Sequence, residues 1–169
     1  PRFVERGIEL GCALDRDGFA QACMGIASGD VNRDGRLDLF VTNFAQESNT
    51  LYLSQAGGAF EDATRQAGLR APSFELLGFG TQFLDADNDG WLDLFVANGH
   101  IDEFTHLNQD YRMRSQLFRG LADGRFQELL APQSGPFFAE PRLGRGVAIG
   151  DFDCDGRADL AVSDLETDA

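Results

Sequence analysis

The chain has 169 residues and a formal net charge of −14; 43% of its residues are hydrophobic and 25% charged. That is long enough for one domain with a sizeable core, and the acidic balance excludes the basic stripe that nucleic acid requires. No apolar run is long enough to cross a bilayer.

Taken in order, the chain opens on Arg2-Phe3-Val4-Glu5, read as an outer strand over 2–10. Cys12 and Cys23 flank the turn Asp15-Arg16-Asp17-Gly18 and could face each other across a hairpin. With three cysteines in all, at least one is unpaired. Gly25-Ile26-Ala27-Ser28-Gly29 and Leu39-Phe40-Val41-Thr42 are short apolar runs on either side of an acidic loop, and they read as buried strands. Asn49-Thr50-Leu51-Tyr52-Leu53-Ser54, the pair Gly57-Gly58 and then Ala59-Phe60-Glu61-Asp62 read as a hairpin. The succession then repeats, with Gly80 to Leu84, a second acidic loop, Leu94 to Ala97, Ser115 to Arg119, the turn Asp123-Gly124 and Arg125-Phe126-Gln127-Glu128. A third copy supplies Gly146 to Gly150, its loop, and Leu160 to Ser163.

Strand, loop, strand, connection, strand, glycine turn, strand in roughly 60 residues is the signature of a propeller blade. The expectation is therefore an all-β fold, a single β-propeller segment over 1–169. It divides into an outer strand at 2–10, a blade at 25–67, a blade at 79–134 with an insertion at 99–114, and the first two strands of a further blade at 145–164. About three four-stranded antiparallel blades make an arc of a larger ring, seven-bladed when closed, and the strand at 2–10 is placed to complete the strands at 145–164. An arc leaves blade faces and edges open. Phe74, Phe79, Phe104, Phe137 and Phe138 are the residues whose exposure would mark missing blades or a partner.

The acidic loops begin at residues 30, 85 and 151, and each reads D-x-[DN]-x-D-G-x-x-D. Side-chain oxygens at positions 1, 3, 5 and 9 converge when such a loop curls, and the glycine at position 6 permits the turn. The candidate ligands are Asp30, Asn32, Asp34 and Asp38; Asp85, Asp87, Asp89 and Asp93; and Asp151, Asp153, Asp155 and Asp159. Rings of hard oxygens suit Ca²⁺, about three ions for the chain; the alternative is three acidic Asp-Gly turns with no ion. The loops are not EF-hands, which need Glu at position 12 and a following helix, because that position is Val41, Val96 and Val162 in a strand run.

These residues resemble FG-GAP or VCBS-type repeats, the calcium-loop blades of integrin-α-like propellers. Gln21-Ala22-Cys23-Met24-Gly25, Leu37 to Phe44, Asn49-Thr50-Leu51-Tyr52, Leu77-Gly78-Phe79-Gly80 and Asp85 to His100 look like the cartilage-acidic-protein-type branch, called ASPIC/UnbV. The likeness covers nearly the whole chain, with Cys23 standing where that pattern tends to have Gly. It implies a seventh-position carbonyl ligand from Arg36, Trp91 and Arg157, structural rather than catalytic calcium, and a secreted protein that binds proteins or matrix. Millimolar Ca²⁺ outside the cytosol likewise places the chain in an extracellular or periplasmic setting. No nucleophile or metal-hydrolase motif is present, so the expectation is a non-catalytic interaction or adhesion module with a protein or carbohydrate partner. The alternatives are a structural subunit of a larger complex or self-assembly and, further off, a glycan-active enzyme. The insertion 99–114 carries His100, His106, Asp102, Glu103, Asp110, Tyr111, Arg112 and Arg114 and is a candidate binding loop, or else a solvated one.

Overall fold

The computed structural model describes residues 2–103 and 110–165. Ten strands form three antiparallel sheets among these residues. The first contains β1 (Gly25–Gly29), β2 (Asp38–Thr42), β3 (Thr50–Ser54) and β4 (Phe60–Asp62), hydrogen-bonded in chain order. The second repeats this order with β5 (Gly78–Leu84), β6 (Asp93–Asn98), β7 (Gln116–Gly120) and β8 (Phe126–Leu129). The third holds only β9 (Gly144–Gly150) and β10 (Asp159–Asp164). Short helices α1 (Gly7–Leu10), α2 (Arg70–Ser73) and α3 (Ala131–Ser134) lie in the connections.

The first strands of the sheets pack side by side, β1 against β5 and β5 against β9. Glycine makes this possible, because a Cβ on Gly25 would lie 2.1 Å from the Phe79 carbonyl oxygen and one on Gly80 would lie 2.5 Å from that of Arg145. The Thr42 hydroxyl accepts from the Gly25 amide at 2.8 Å and donates to the Phe79 carbonyl at 2.6 Å, joining two sheets through one side chain. Sheets radiating from adjacent inner strands are blades of a β-propeller.

Strand alternation divides each sheet into two faces. Ala27, Val31, Phe40 and Leu51 of the first sheet meet Phe83, Leu94, Val96, Phe118 and Phe126 of the second. Phe40 is fully buried and sits edge-on to Phe83 at 6.3 Å; burial of a side chain of this size contributes about 1.5–3 kcal/mol. Its equivalent in the second sheet, Phe95, is turned toward the third sheet and packs with Leu160, Val162, Phe137 and Phe138. The equivalent in β10 is Ala161, which is exposed.

One expectation needs correction, and two questions that the sequence left open are answered. Residues 2–10 form no strand; Gly7–Leu10 is helical, and 2–10 does not join the third sheet. A strand requires a ladder partner for its amides and carbonyls, and the segment has none, which leaves Phe3 fully exposed. Cys12 and Cys23 are free thiols. Phe74, Phe79, Phe137 and Phe138 are half-buried rather than exposed, and Phe104 lies outside the described residues. Phe137 and Phe138 fold back onto Phe95, and the Arg145 guanidinium covers Phe79 at 4.2 Å. Other large apolar side chains are left open instead, Phe3, Ile8, Phe19, Ile26, Leu37, Phe152 and Leu165 among them, each more than 60% exposed.

Candidate metal centres

Each acidic loop joins the first two strands of its sheet, and all three share one hydrogen-bond plan. Asp30, Asp85 and Asp151 accept from the amides four and five residues ahead: Asp34 and Gly35 at 3.0 and 2.8 Å, Asp89 and Gly90 at 3.0 and 2.9 Å, Asp155 and Gly156 both at 3.0 Å. The third-position oxygens of Asn32, Asp87 and Asp153 accept from the same fifth-position amides at 3.1–3.2 Å. The fifth-position carboxylates accept in turn from Arg36, Trp91 and Arg157 at 3.0, 2.9 and 2.8 Å. The curl depends on left-handed backbone at two places. Gly35, Gly90 and Gly156 hold φ of +83 to +85°, and Arg33, Asn88 and Cys154 at the fourth position hold +56 to +61°.

This scaffold gathers the carboxylates. Oxygens of Asp85, Asp87 and Asp89 lie within 4.8 Å of one another, as do those of Asp151, Asp153 and Asp155. The first loop has the same hydrogen bonds, with the amide oxygen of Asn32 replacing a carboxylate. Every donor is a hard oxygen on an open, largely exposed loop, so the set fits a calcium-like cation and not a thiophilic metal.

The ninth-position residues do something more. Asp38 and Asp93 are buried, and each uses both oxygens on backbone amides. Asp38 accepts from Val31 at 3.0 Å and Ser54 at 2.8 Å, and Asp93 from Ala86 at 2.9 Å and Gly120 at 2.8 Å. Each carboxylate thereby ties its loop to the end of the third strand. Burial pushes both carboxyls above the ordinary aspartate range, against the pull of those amides. Asp159 accepts from Phe152 at 2.8 Å, and among the described residues no third strand supplies a second amide.

Arginines stand beside the loops, a feature the sequence reading missed. Arg36 pairs with Asp34, and Arg119 on β7 reaches Asp87 and Asp89 at 2.8 and 2.9 Å. The Trp91 amide, and then Arg119, hold the Asp89 carboxyl below its usual value. Arg33 of the first loop stacks over the Trp91 ring of the second at 4.2 Å, so the two loops touch. Only the strand register, which brings Arg119 next to the loop, could have pointed to these contacts.

Among the described residues the metal-compatible groups are the two Asp triads, and His100 is in neither. His100 is buried, with its ring edge-on to Phe44 at 5.3 Å. The ends of the insertion are pinned by the pairing of Met113 with Arg142 and by Arg145, whose guanidinium donates to the carbonyls of Gly99 and His100 at 3.3 and 2.7 Å. His106 lies outside the described residues.

No curated protein matches the chain. The family model of the FG-GAP-like repeat matches twice, over residues 30–96 and 85–162. Each match begins at the first aspartate of an acidic loop and runs through the next loop into its following strand, and together they cover most of the described sheets. The chain belongs to the FG-GAP-like repeat family.

Proposed function

We propose that the chain is a calcium-stapled, non-catalytic propeller module for protein interaction or adhesion, acting outside the cytosol. The observation that carries this reading is the shared loop plan, in which backbone amides of the second and third loops hold three acidic side chains within 4.8 Å of one another. Like charges at that spacing repel, and a divalent cation converts the repulsion into cross-linking of two strands of one blade. Asp30, Asn32, Asp34 and Asp38, with their counterparts in the other loops, are the side-chain ligands, and the Arg36, Trp91 and Arg157 carbonyls complete each shell with water. The sequence likeness to the ASPIC/UnbV branch supports a secreted protein with a protein or carbohydrate partner. A second reading, a structural subunit of a larger assembly, is favoured by one observation: the apolar side chains of Ile26, Leu37 and Phe152 are each more than 60% exposed.

The test is calorimetric melting in millimolar Ca²⁺ and in EGTA, with a count of bound metal. A site filled at 100 times its dissociation constant adds about 2.7 kcal/mol, so three sites raise the melting temperature well beyond error. Identical melting curves and no bound calcium would refute the reading.

A further inference from the structure

The first and second acidic loops meet at the seam between the two four-stranded sheets, and they meet through positions inside their ligand arcs. Arg33 falls between Asn32 and Asp34, and its guanidinium lies 4.2 Å from the centroid of the Trp91 ring. Trp91 falls between Asp89 and Asp93, and its amide donates to Asp89 at 2.9 Å. The same guanidinium rests on the turn of the second loop, since a Cβ built on Gly90 would lie 2.5 Å from one of its nitrogens. A second contact is independent of Arg33. Gly29, the residue before the first loop, lets Leu92 of the second approach so closely that a Cβ there would lie 2.7 Å from the leucine Cδ1. Val31 of the first loop belongs to the core cluster against which Leu92 packs. The seam between the second and third loops has no such stack. Asn88 and Arg157 hold the corresponding positions there, a pair without an aromatic ring.

We infer that the Arg33–Trp91 stack couples the first two loops, so that filling one with a cation raises the affinity of the other, while the third loop fills on its own. The inference deepens the calcium reading proposed above and rests on it. The coupling is positional. Arg33 holds a left-handed φ of +58°, a conformation that a non-glycine residue keeps only where its surroundings impose it. The Asn32 and Asp34 side chains, held on a shared cation, fix that curl on both sides of Arg33 and so fix its side chain across the seam. The stack then steadies Trp91 within the loop that gathers Asp85, Asp87 and Asp89. By linkage the second loop acts on the first to the same degree. Repulsion between two bound cations opposes the effect. Both loops are largely exposed, so salt screens that repulsion, whereas the stack acts at contact. An exposed cation–π pair transmits about a two- to fivefold change in affinity.

Trp91 is the only tryptophan of the chain, so its emission reports the second loop. Ca²⁺ is titrated into the intact chain at about 0.15 M salt, with Trp91 emission followed and bound metal counted. Asn32→Ala weakens the first loop without changing any charge, and it should raise the Ca²⁺ midpoint at Trp91 by about two- to fivefold. In an Arg33→Asn chain, which carries at this left-handed position the residue type that the second loop has at Asn88, Asn32→Ala should leave the midpoint unmoved. Asp153→Asn, in the third loop, should leave it unmoved as well. Arg33→Asn alone gives a second readout, because the steepness of the parent titration should fall to that of independent sites. Five results each overturn the coupling while leaving the calcium reading in place: an unmoved midpoint in Asn32→Ala, an equal shift without Arg33, an equal shift from Asp153→Asn, a shift to tighter binding, or flat Trp91 emission while metal is counted. Absence of bound metal from every chain removes the calcium reading, and the coupling with it.

Discussion

Substituting Asp93→Asn and Asp159→Asn in parallel separates what the ninth loop position does for the backbone from what it does for a cation. Asp93 is 3% exposed and its two oxygens accept from the Ala86 and Gly120 amides. An asparagine has one oxygen, so one amide is left facing an NH₂ group. Loss of a hydrogen bond to a charged acceptor costs about 1.5–3 kcal/mol. Part of this is offset, because burial already disfavours the Asp93 charge. The expected net cost in EGTA is about 1–2 kcal/mol, read as roughly tenfold faster amide exchange in β6. Asp159 has the single amide partner Phe152, which an asparagine oxygen can keep while its NH₂ turns to water. The cost there should stay within about 0.5 kcal/mol, as for an ordinary surface change. In millimolar Ca²⁺ both variants lose a ligand charge, and both should fall further below the parent chain. Equal acceleration of exchange in β6 and β10 without calcium would show that the amide from the third strand is not what Asp93 contributes.

Two further outcomes follow from contacts already described. Gly80→Ala puts a methyl 2.5 Å from the Arg145 carbonyl oxygen and 2.7 Å from the Val147 amide, and should lower stability in urea by about 1–3 kcal/mol. Gly146→Ala meets only the Ser163 hydroxyl at 3.0 Å and should stay within about 0.5 kcal/mol; a matching loss at Gly146 would refute the close-approach argument. Tyr52 is buried, which raises its phenol above the ordinary range, and its hydroxyl donates to the Leu14 carbonyl at 3.1 Å. The unfolded chain therefore releases this proton first, so stability falls as pH rises above about 10, by up to about 1.4 kcal/mol per pH unit. Tyr52→Phe should flatten that slope, and an unchanged slope would assign it to other groups.

What could be read from the sequence was what local chemistry dictates. The Asp-Gly spacing of the loops is a requirement of the curl itself, so Asp85, Asp87, Asp89 and Gly90 announce their arrangement in the string. The runs at β2 and β6 likewise announce buried strands, since Leu-Phe-Val follows both of the first two loops. What could not be read depends on partners. Arg2-Phe3-Val4-Glu5 has the outer-strand pattern of Arg125 to Glu128, yet only the latter finds a neighbour, in β7. The double duty of Asp38 and Asp93 also escapes spacing arguments, because the amides of Ser54 and Gly120 arrive through hairpin register. The left-handed fourth position was hidden by its chemistry, being Arg33, Asn88 and Cys154 in the three copies.

The ninth-position aspartate links the loops to the completeness of the sheets. On the proposed calcium reading, the ninth-position carboxylate of the first two sheets is both a cation ligand and the anchor of the third strand, so filling the loop and holding the outer hairpin would reinforce each other. Among the described residues the third sheet has the loop but not the hairpin, and a two-stranded sheet is marginal by itself. Its order is borrowed from β5, through the close approach at Gly80 and the packing of Val147, Leu160 and Val162 on Phe95. Chelation should therefore release the third sheet before the others, with exchange in β9 and β10 rising at calcium levels that leave β2 and β6 protected.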